Sequence, residues 1–184
     1  MIVLLGTKKS CRYSSVPIHK RRFTWNSFKH NMSRFFDLEE VDWKGEKVSF
    51  AETFSEHVTF GINVASEWGK TQSGYEVLSK LSKIDGVKIA LFPCNQFGSQ
   101  ENGSDPEIHA FALSKGLNES QTIVFSKADV NGPNTRPTYL CVKEATGMGN
   151  IKWNFAGQFI VDKMGSITKV DDILKVEALV RELL

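Results

Sequence analysis

The chain has no apolar run approaching the ~20 residues that a helix needs to span a bilayer, so nothing in it reads as a transmembrane segment. Cysteine is scarce. Cys11, Cys94 and Cys141 form neither a C-x-x-C pair nor a zinc-ligand spacing. An odd count without a secretory signal argues for a reducing compartment and against a disulfide framework. His19, His30, His57 and His109 are scattered without metal-ligand spacing, and each reads as a surface residue. Repeats and low-complexity stretches are missing too. Acidic residues are absent from residues 1–36, which hold eight of the 23 Lys and Arg. The other 15 (23 − 8) stand against all 21 Asp and Glu in residues 37–184, a net charge of −6. That balance speaks against a nucleic-acid surface.

What is present divides the chain in two. Residues 1–31 are basic, acid-free and dotted with Ser10, Ser14, Ser15 and Ser27, the composition of a mitochondrial presequence. The opening Met-Ile-Val-Leu-Leu-Gly is too short for a secretory apolar core, which needs ~7–15 residues. A disordered or untranslated leader is the other reading, because Met32-Ser33-Arg34-Phe35-Phe36-Asp37 makes a natural cytosolic start. The expected location is therefore cytoplasmic, with mitochondrial targeting if the leader is a presequence. Either way residues 32–184 form the folding unit. A chain of 184 residues, 41% hydrophobic and 24% charged, suits one globular domain with a substantial core.

Residues 35–50 read as a hairpin turning at Lys44-Gly45. Val58 to Val64 is apolar enough for a central strand buried on both faces. Tyr75, Leu78, Leu81 and Ile84 recur at helical spacing from about Gln72, and Gly86 ends that helix. Val87 to Phe92 is a second core strand, stopped by Pro93. Ser104 caps a helix running to Ser114, with Glu107 completing a capping box and Pro106 tolerated in the first turn. Strand, helix, strand predicts a parallel pair with a right-handed crossover. Gln158–Val161 and Ser166–Val170 flank a tight turn at residues 162–165. Asp171 or Asp172 then caps a final helix bearing Ile173, Val176, Leu179, Val180 and Leu183 on one face. This βαβ unit followed by ββα is the thioredoxin arrangement.

Four ordered blocks narrow the reading. Asn63-Val64-Ala65-Ser66 continues through Gly69 to Thr71. Leu91-Phe92-Pro93-Cys94-Asn95-Gln96-Phe97-Gly98-Ser99-Gln100-Glu101-Asn102-Gly103 follows. Asp129-Val130-Asn131-Gly132 and Lys152-Trp153-Asn154-Phe155 complete the series. From about Phe35 to about Lys169 the chain resembles the glutathione peroxidases. The resemblance implies an α/β, thioredoxin-like fold: a central mixed sheet flanked by helices, with an N-terminal β-hairpin. It places the peroxidatic Cys or selenocysteine at Trp68, and its three partners at Gln100, Trp153 and Asn154. It implies no bound cofactor or metal, glutathione or another small thiol as reductant, and hydroperoxides, lipid hydroperoxides included, as substrates. The short segment from Pro137 to Ile151 lacks the insertion of tetrameric relatives, which implies a monomer of the phospholipid-hydroperoxide type. Leu113 falls where some cysteine-type relatives carry a resolving cysteine, so an internal disulfide relay finds no support. Lys70 and Lys152 flank the site.

The chemistry explains why these residue types matter. A hydroperoxide is cleaved when a thiolate or selenolate attacks its distal oxygen, and the anion is the reactive form. Position 68 lies just ahead of a helix, whose N-terminal partial charge favours an anion. Amide donors from Gln100 and Asn154, and the Trp153 indole, can stabilise that anion and the leaving alkoxide. An indole at position 68 offers an N–H and apolar surface, but no nucleophile. Three readings follow: a UGA selenocysteine codon rendered as Trp, a catalytically dead pseudoperoxidase with a genuine Trp68, and a partner-binding module using Trp68 as an anchor. Cys94, at a strand end, reads as a small core side chain rather than a substitute nucleophile.

Overall fold

The computed structural model describes residues 34–184, and every structural statement below concerns these residues. The leader reading of residues 1–31, with Cys11, His19 and His30, lies outside them. The hairpin forms as β1 (Glu39–Val41) and β2 (Lys47–Ser49), antiparallel, with Val41 paired to Lys47. Its turn is held by Asp42, whose Oδ1 accepts from the N–H groups of Lys44 and Glu46 at 2.8 and 2.9 Å. Gly45 supplies the φ of +83° that the turn demands.

A short helix α1 (Phe50–Phe54) leads into the central sheet. That sheet holds β3 (Val58–Val64), β4 (Val87–Pro93), β5 (Thr122–Val124), β6 (Gln158–Val161) and β7 (Ile167–Val170), in the order β5-β4-β3-β6-β7. β3, β4 and β5 run parallel, while β6 and β7 are antiparallel to their neighbours, giving the expected mixed sheet. All seven residues of β3 are buried, as its continuous apolar text demands at the middle of the sheet.

Side-chain alternation along the strands builds two cores. Phe60, Ile62, Ile89 and Leu91 meet Tyr75, Leu78 and Leu81 of α2 (Thr71–Leu81), Ile108 and Ala112 of α3 (Asp105–Ser114), and Val176 and Val180 of α5 (Val176–Leu183). On the other face Ala90, Phe92 and Phe159 meet Phe50 and Phe54 of α1, and Tyr139 and Val142 of α4 (Pro137–Thr146). Gly61 belongs to this second face. A Cβ there would lie 2.2 Å from the Phe159 ring, so only glycine lets β3 and β6 pair at that register.

Two boundaries differ from the sequence reading. α2 stops at Leu81, not at Gly86. Ser82 turns its hydroxyl onto the Ser79 carbonyl at 2.9 Å and also accepts the Asn118 N–H, so the chain leaves the helix there. Ile84 reaches the core edge from a following turn. Asp172 caps a 3₁₀ turn over Ile173–Lys175, accepting from Leu174 N–H, and α5 proper begins only at Val176. The Ser104–Glu107 capping box forms as read, with Glu107 Oε2 accepting the Ser104 N–H at 2.8 Å.

Candidate active site

Position 68 sits between β3 and α2. Thr71 anchors the connection, donating its Oγ1 proton to the Ala65 carbonyl at 2.7 Å and its N–H to the Trp68 carbonyl at 2.9 Å. Lys70, the residue before α2, provides no side-chain cap, so the first amides of that helix keep their partial positive charge unquenched by a carboxylate or hydroxyl. The start of α2 at Thr71 agrees with the expected position.

Trp68 itself is half-buried and packs into the fold. Its ring stacks on Phe155, with centroids 5.4 Å apart and planes inclined by 29°. Phe155 in turn packs against α2, where a Cβ on Gly74 would meet its ring at 2.4 Å. Gly74 thus makes room for Phe155, and Phe155 for Trp68. Holding this stack puts Phe155 at φ +61°, a conformation costing on the order of 1 kcal/mol for a bulky residue. Tyr75 closes the stack edge-on, 5.8 Å from Phe155.

The segment after β4 brings Gln100 to the same place. Its carbonyl accepts the Glu67 N–H at 3.0 Å, tying it to the loop that carries position 68. The segment before β6 brings Trp153 and Asn154. Asn63 of β3 holds it there: its amide donates to the Trp153 carbonyl at 3.1 Å, its Oδ1 accepts Gly157 N–H at 2.7 Å, and its carbonyl accepts Phe155 N–H at 3.0 Å. Asn154 Nδ2 donates to Gln100 Oε1 at 2.7 Å and to the Phe97 carbonyl at 3.4 Å, while its Oδ1 stays buried without a partner.

Trp68, Trp153 and Asn154 line one cavity of about 380 Å³, with Phe155, Leu174 and Lys70. Gln100 joins them through its bond to Asn154. The Asn154 donors are committed to Gln100 and Phe97, so of these two side-chain amides it is Gln100 whose N–H groups make no hydrogen bond. Trp153 is 43% exposed and Leu174 79%, which gives the cavity an apolar mouth. Lys70 stands on its wall, and Lys152 is exposed.

Cys94 does not belong to this site. It is fully buried on the opposite face of the sheet, with Sγ 3.6 Å from Gln96 Oε1. Burial pushes its thiol pKa up, against weaker help from neighbouring hydrogen bonds. A protonated, enclosed thiol is a poor nucleophile. No cluster of three or more His, Cys, Asp or Glu able to hold a metal occurs among the described residues.

Sequence reasoning missed Asn63 as the organiser of the Trp153 loop, though a lone Asn in an apolar strand was a signal. It also missed Glu101. This side chain is 0% exposed and neither carboxyl oxygen has a hydrogen-bond partner. Burial raises its pKa to about 7, opposed by the Ser66 hydroxyl and N–H and by Lys127, and reinforced by Glu67.

The fold places the chain among thioredoxin-like proteins. A thioredoxin-like protein from Aeropyrum pernix superposes with a TM-score of 0.55 at 12% identity, covering 85% of this chain and 93% of that one. A secreted Mycobacterium tuberculosis disulfide oxidoreductase gives 0.57 at 11% identity, covering 82% and 98%. Within that class the sequence is decisive: the sequence model of the glutathione peroxidase family matches residues 35–143, and the chain belongs to that family.

Among its relatives, the chloroplastic phospholipid hydroperoxide glutathione peroxidase 1 of Arabidopsis thaliana is 40% identical over 140 residues, 73% of this chain and 57% of that protein. The mitochondrial glutathione peroxidase 1 of Chlamydomonas reinhardtii is 38% identical over 73% of this chain and 68% of its own length. A glutathione peroxidase-like peroxiredoxin of Saccharomyces cerevisiae is 42% identical over 74% and 85%. The chain thus spans less than two thirds of the Arabidopsis relative.

Proposed function

We propose that this chain is the scaffold of a thiol-dependent hydroperoxide reductase whose reacting position is 68, encoded by UGA as selenocysteine and rendered here as Trp. One observation carries the reading. Gln100 is hydrogen-bonded to Asn154 at 2.7 Å and tied by its backbone to Glu67, so the expected partners gather beside position 68 at the start of α2. Amide and indole donors of this kind make chemical sense around an anion and lose most of their purpose around an indole ring.

With a selenolate at position 68, attack on the distal peroxide oxygen forms a selenium–oxygen bond and breaks O–O. The proximal oxygen leaves as alkoxide and takes a proton to become alcohol or water. Two thiol molecules then return the oxidised selenium to selenolate, releasing water and a disulfide. The uncommitted Gln100 amide and the Trp153 indole are the donors that would stabilise the anion and the departing oxygen. Glutathione or a similar small thiol is the proposed reductant, because Leu113 offers no resolving thiol. The open apolar mouth formed by Trp153 and Leu174 suits lipid hydroperoxides. The proposed working form is a monomer, in the cytoplasm or, if residues 1–31 act as a presequence, in mitochondria.

The second reading, a pseudoperoxidase with a genuine Trp68, is favoured by the Trp68–Phe155 stack over Gly74, which accommodates an indole without displacing the core. The mRNA separates the two. An in-frame UGA at codon 68 with a selenocysteine-insertion hairpin in the 3′ region supports the enzyme; a UGG codon sinks it. On protein, Trp68→Cys is expected to raise glutathione-dependent hydroperoxide reduction by about tenfold or more over the chain as written. An inert Trp68→Cys protein, folded by circular dichroism, would show that the surround itself is incompetent.

A further inference from the structure

The segment that carries Trp153 and Asn154 is anchored at two points. Asn63 of β3 holds its exit, at the Trp153 carbonyl and the Gly157 N–H. Its entrance is held from elsewhere. Asn131, in the loop between β5 and α4, donates from Nδ2 to the Ile151 carbonyl at 2.9 Å and accepts the Ile151 N–H on Oδ1 at 2.9 Å. One side-chain amide thus pairs with both backbone groups of a single residue, as a neighbouring strand would. Lys152 alone separates that clamp from Trp153.

Asn131 is itself set by the loop that carries Gln100. Gln96 Oε1 accepts the N–H groups of Val130 and Asn131, both at 2.9 Å, and Gln96 Nε2 donates to the Asn131 carbonyl at 2.9 Å. Lys143 of α4 braces the arrangement, donating to the Val130 carbonyl at 2.6 Å and to Asn131 Oδ1 at 2.9 Å. Two amides in series therefore run from the Gln100 loop to the residue two before Trp153. The two anchors have different references. Asn63 places Trp153 against β3, at whose end position 68 lies, whereas Asn131 places it against the loop of Gln100.

We propose that Asn131 is a positioning residue: its clamp on Ile151, seated by Gln96, sets the spacing between the Trp153 indole and the Gln100 amide. The catalytic meaning of this rests on the peroxidase reading; the positional meaning does not. Neither Gln96 nor Asn131 lines the cavity beside position 68, so both act through the residues they hold. Asn154 also joins the two loops, through single bonds to Gln100 Oε1 and the Phe97 carbonyl. Such contacts leave one loop able to swivel on the other, and the paired bonds at Ile151 oppose that swivel. Donors serve a developing charge only within about 2.7–3.1 Å of it, so a displacement of about 1 Å forfeits their effect.

The test compares nitrogen-15 NMR spectra of the chain as written and of Asn131→Ala. Hydrogen exchange at the Ile151 N–H should accelerate about tenfold or more, as one lost hydrogen bond of ordinary strength allows. The Trp153 indole N–H and the Gln100 side-chain amide should shift, although neither is hydrogen-bonded to Asn131. Val58→Ala, a core truncation at the amino end of β3, lowers stability and should leave both signals in place. Changes that stop at residues 129–132 and 151, with those two signals unmoved, overturn the proposal. If Asn131→Ala does not fold, Asn131→Asp puts the same question: it keeps the acceptor for Ile151 and Lys143 and loses the donor to the Ile151 carbonyl. The same signals should move, and their constancy overturns the proposal equally.

In the Trp68→Cys background, Asn131→Ala should slow oxidation by hydroperoxide about tenfold or more, the step the two donors serve, and reduction by glutathione less than about threefold. Val58→Ala should slow both steps alike, through loss of folded protein. Equal falls in Asn131→Ala overturn the catalytic meaning. If Trp68→Cys is inert while the Trp153 and Gln100 signals still follow Asn131, the peroxidase reading fails and the positioning role stands.

Discussion

At the scale of single residues, Glu101 makes stability depend on pH. Its folded pKa of about 7 lies above the ordinary value of 4.5, so between those values the folded chain binds more protons than the unfolded chain. Stability contributed by this group is therefore complete below pH 4.5 and is lost as pH rises to 7. The loss approaches ~3 kcal/mol, taking ~1.4 kcal/mol per pKa unit. Urea denaturation at pH 5 and pH 7.5 should show a decline of that order in the parent, and a much flatter response in Glu101→Gln. Equal declines in both proteins would assign the pH dependence elsewhere. Nothing local in Gln-Glu-Asn-Gly marked this glutamate as buried, because the Ser66 loop beside it is distant in sequence. Trp68, by contrast, stood out at once, since an indole contradicts the chemistry that its neighbours serve.

Among elements, the hairpin and α4 are joined by an enclosed ion pair. Glu40 of β1 and Arg136 ahead of α4 are 7% and 4% exposed. Arg136 Nε donates to Glu40 Oε2 at 2.8 Å and Nη2 makes a second bond to the same oxygen. Glu40 Oε1 accepts from the Thr138 N–H at 2.8 Å and from its hydroxyl. The Arg136 guanidinium also lies 4.7 Å over the Phe92 ring. Arg136→Met leaves a buried carboxylate with only the Thr138 donors, and should cost about 3–5 kcal/mol in urea denaturation. The double variant Glu40→Leu with Arg136→Met should recover most of that loss. A double variant as unstable as the sum of the singles would contradict it. The elements themselves were readable from periodicity: the hairpin turn, the buried β3, the capping box of α3 and the β6–β7 turn stand where expected. The end of α2 was not, because Ile84 keeps the helical spacing while Ser82 diverts its hydrogen bonds to the chain before β5. The pairing of Glu40 with Arg136 spans 96 residues, and no local pattern encodes it.

For the molecule as a whole, sheet order decides where the site lies. β3 and β4 are parallel, so position 68 and Gln100 both emerge at their carboxyl ends. β6 runs antiparallel to β3, so the residues before it, Trp153 and Asn154, arrive at that same end. Three segments far apart in sequence thus converge without any single one being the site, and the motif blocks announced their membership but not their joinery. Asn63 is the joint. It is fully buried near the carboxyl end of β3, yet it satisfies the Trp153 carbonyl and the Gly157 N–H with one side chain. A Cβ on Gly157 would meet Asn63 Oδ1 at 2.9 Å and the Tyr139 ring at 2.8 Å, so the loop is seated against this amide with no slack. Asn63→Leu keeps the approximate volume and removes both bonds, stranding the buried Gly157 N–H at about 1–3 kcal/mol and leaving the Trp153 carbonyl only the Ala156 N–H at 3.3 Å. The loop should then leave its seat, carrying Trp153 with it. Two readouts check this: a shift of Trp153 fluorescence relative to a Trp153→Phe control, and, in the Trp68→Cys background, loss of peroxide reduction beyond what the lower stability explains. An Asn63→Leu chain that kept both its Trp153 emission and the Asn154–Gln100 contact would show that backbone bonds, including Phe155 N–H to the residue 63 carbonyl, hold the loop without the Asn63 side chain. The antiparallel pairing of β6 begins only at Gly61 and Phe159, four residues after Phe155. Between that ladder and Trp153 the backbone is tied to β3 by the bond from Phe155 N–H to the Asn63 carbonyl, and the Asn63 side chain supplies the rest of the seat.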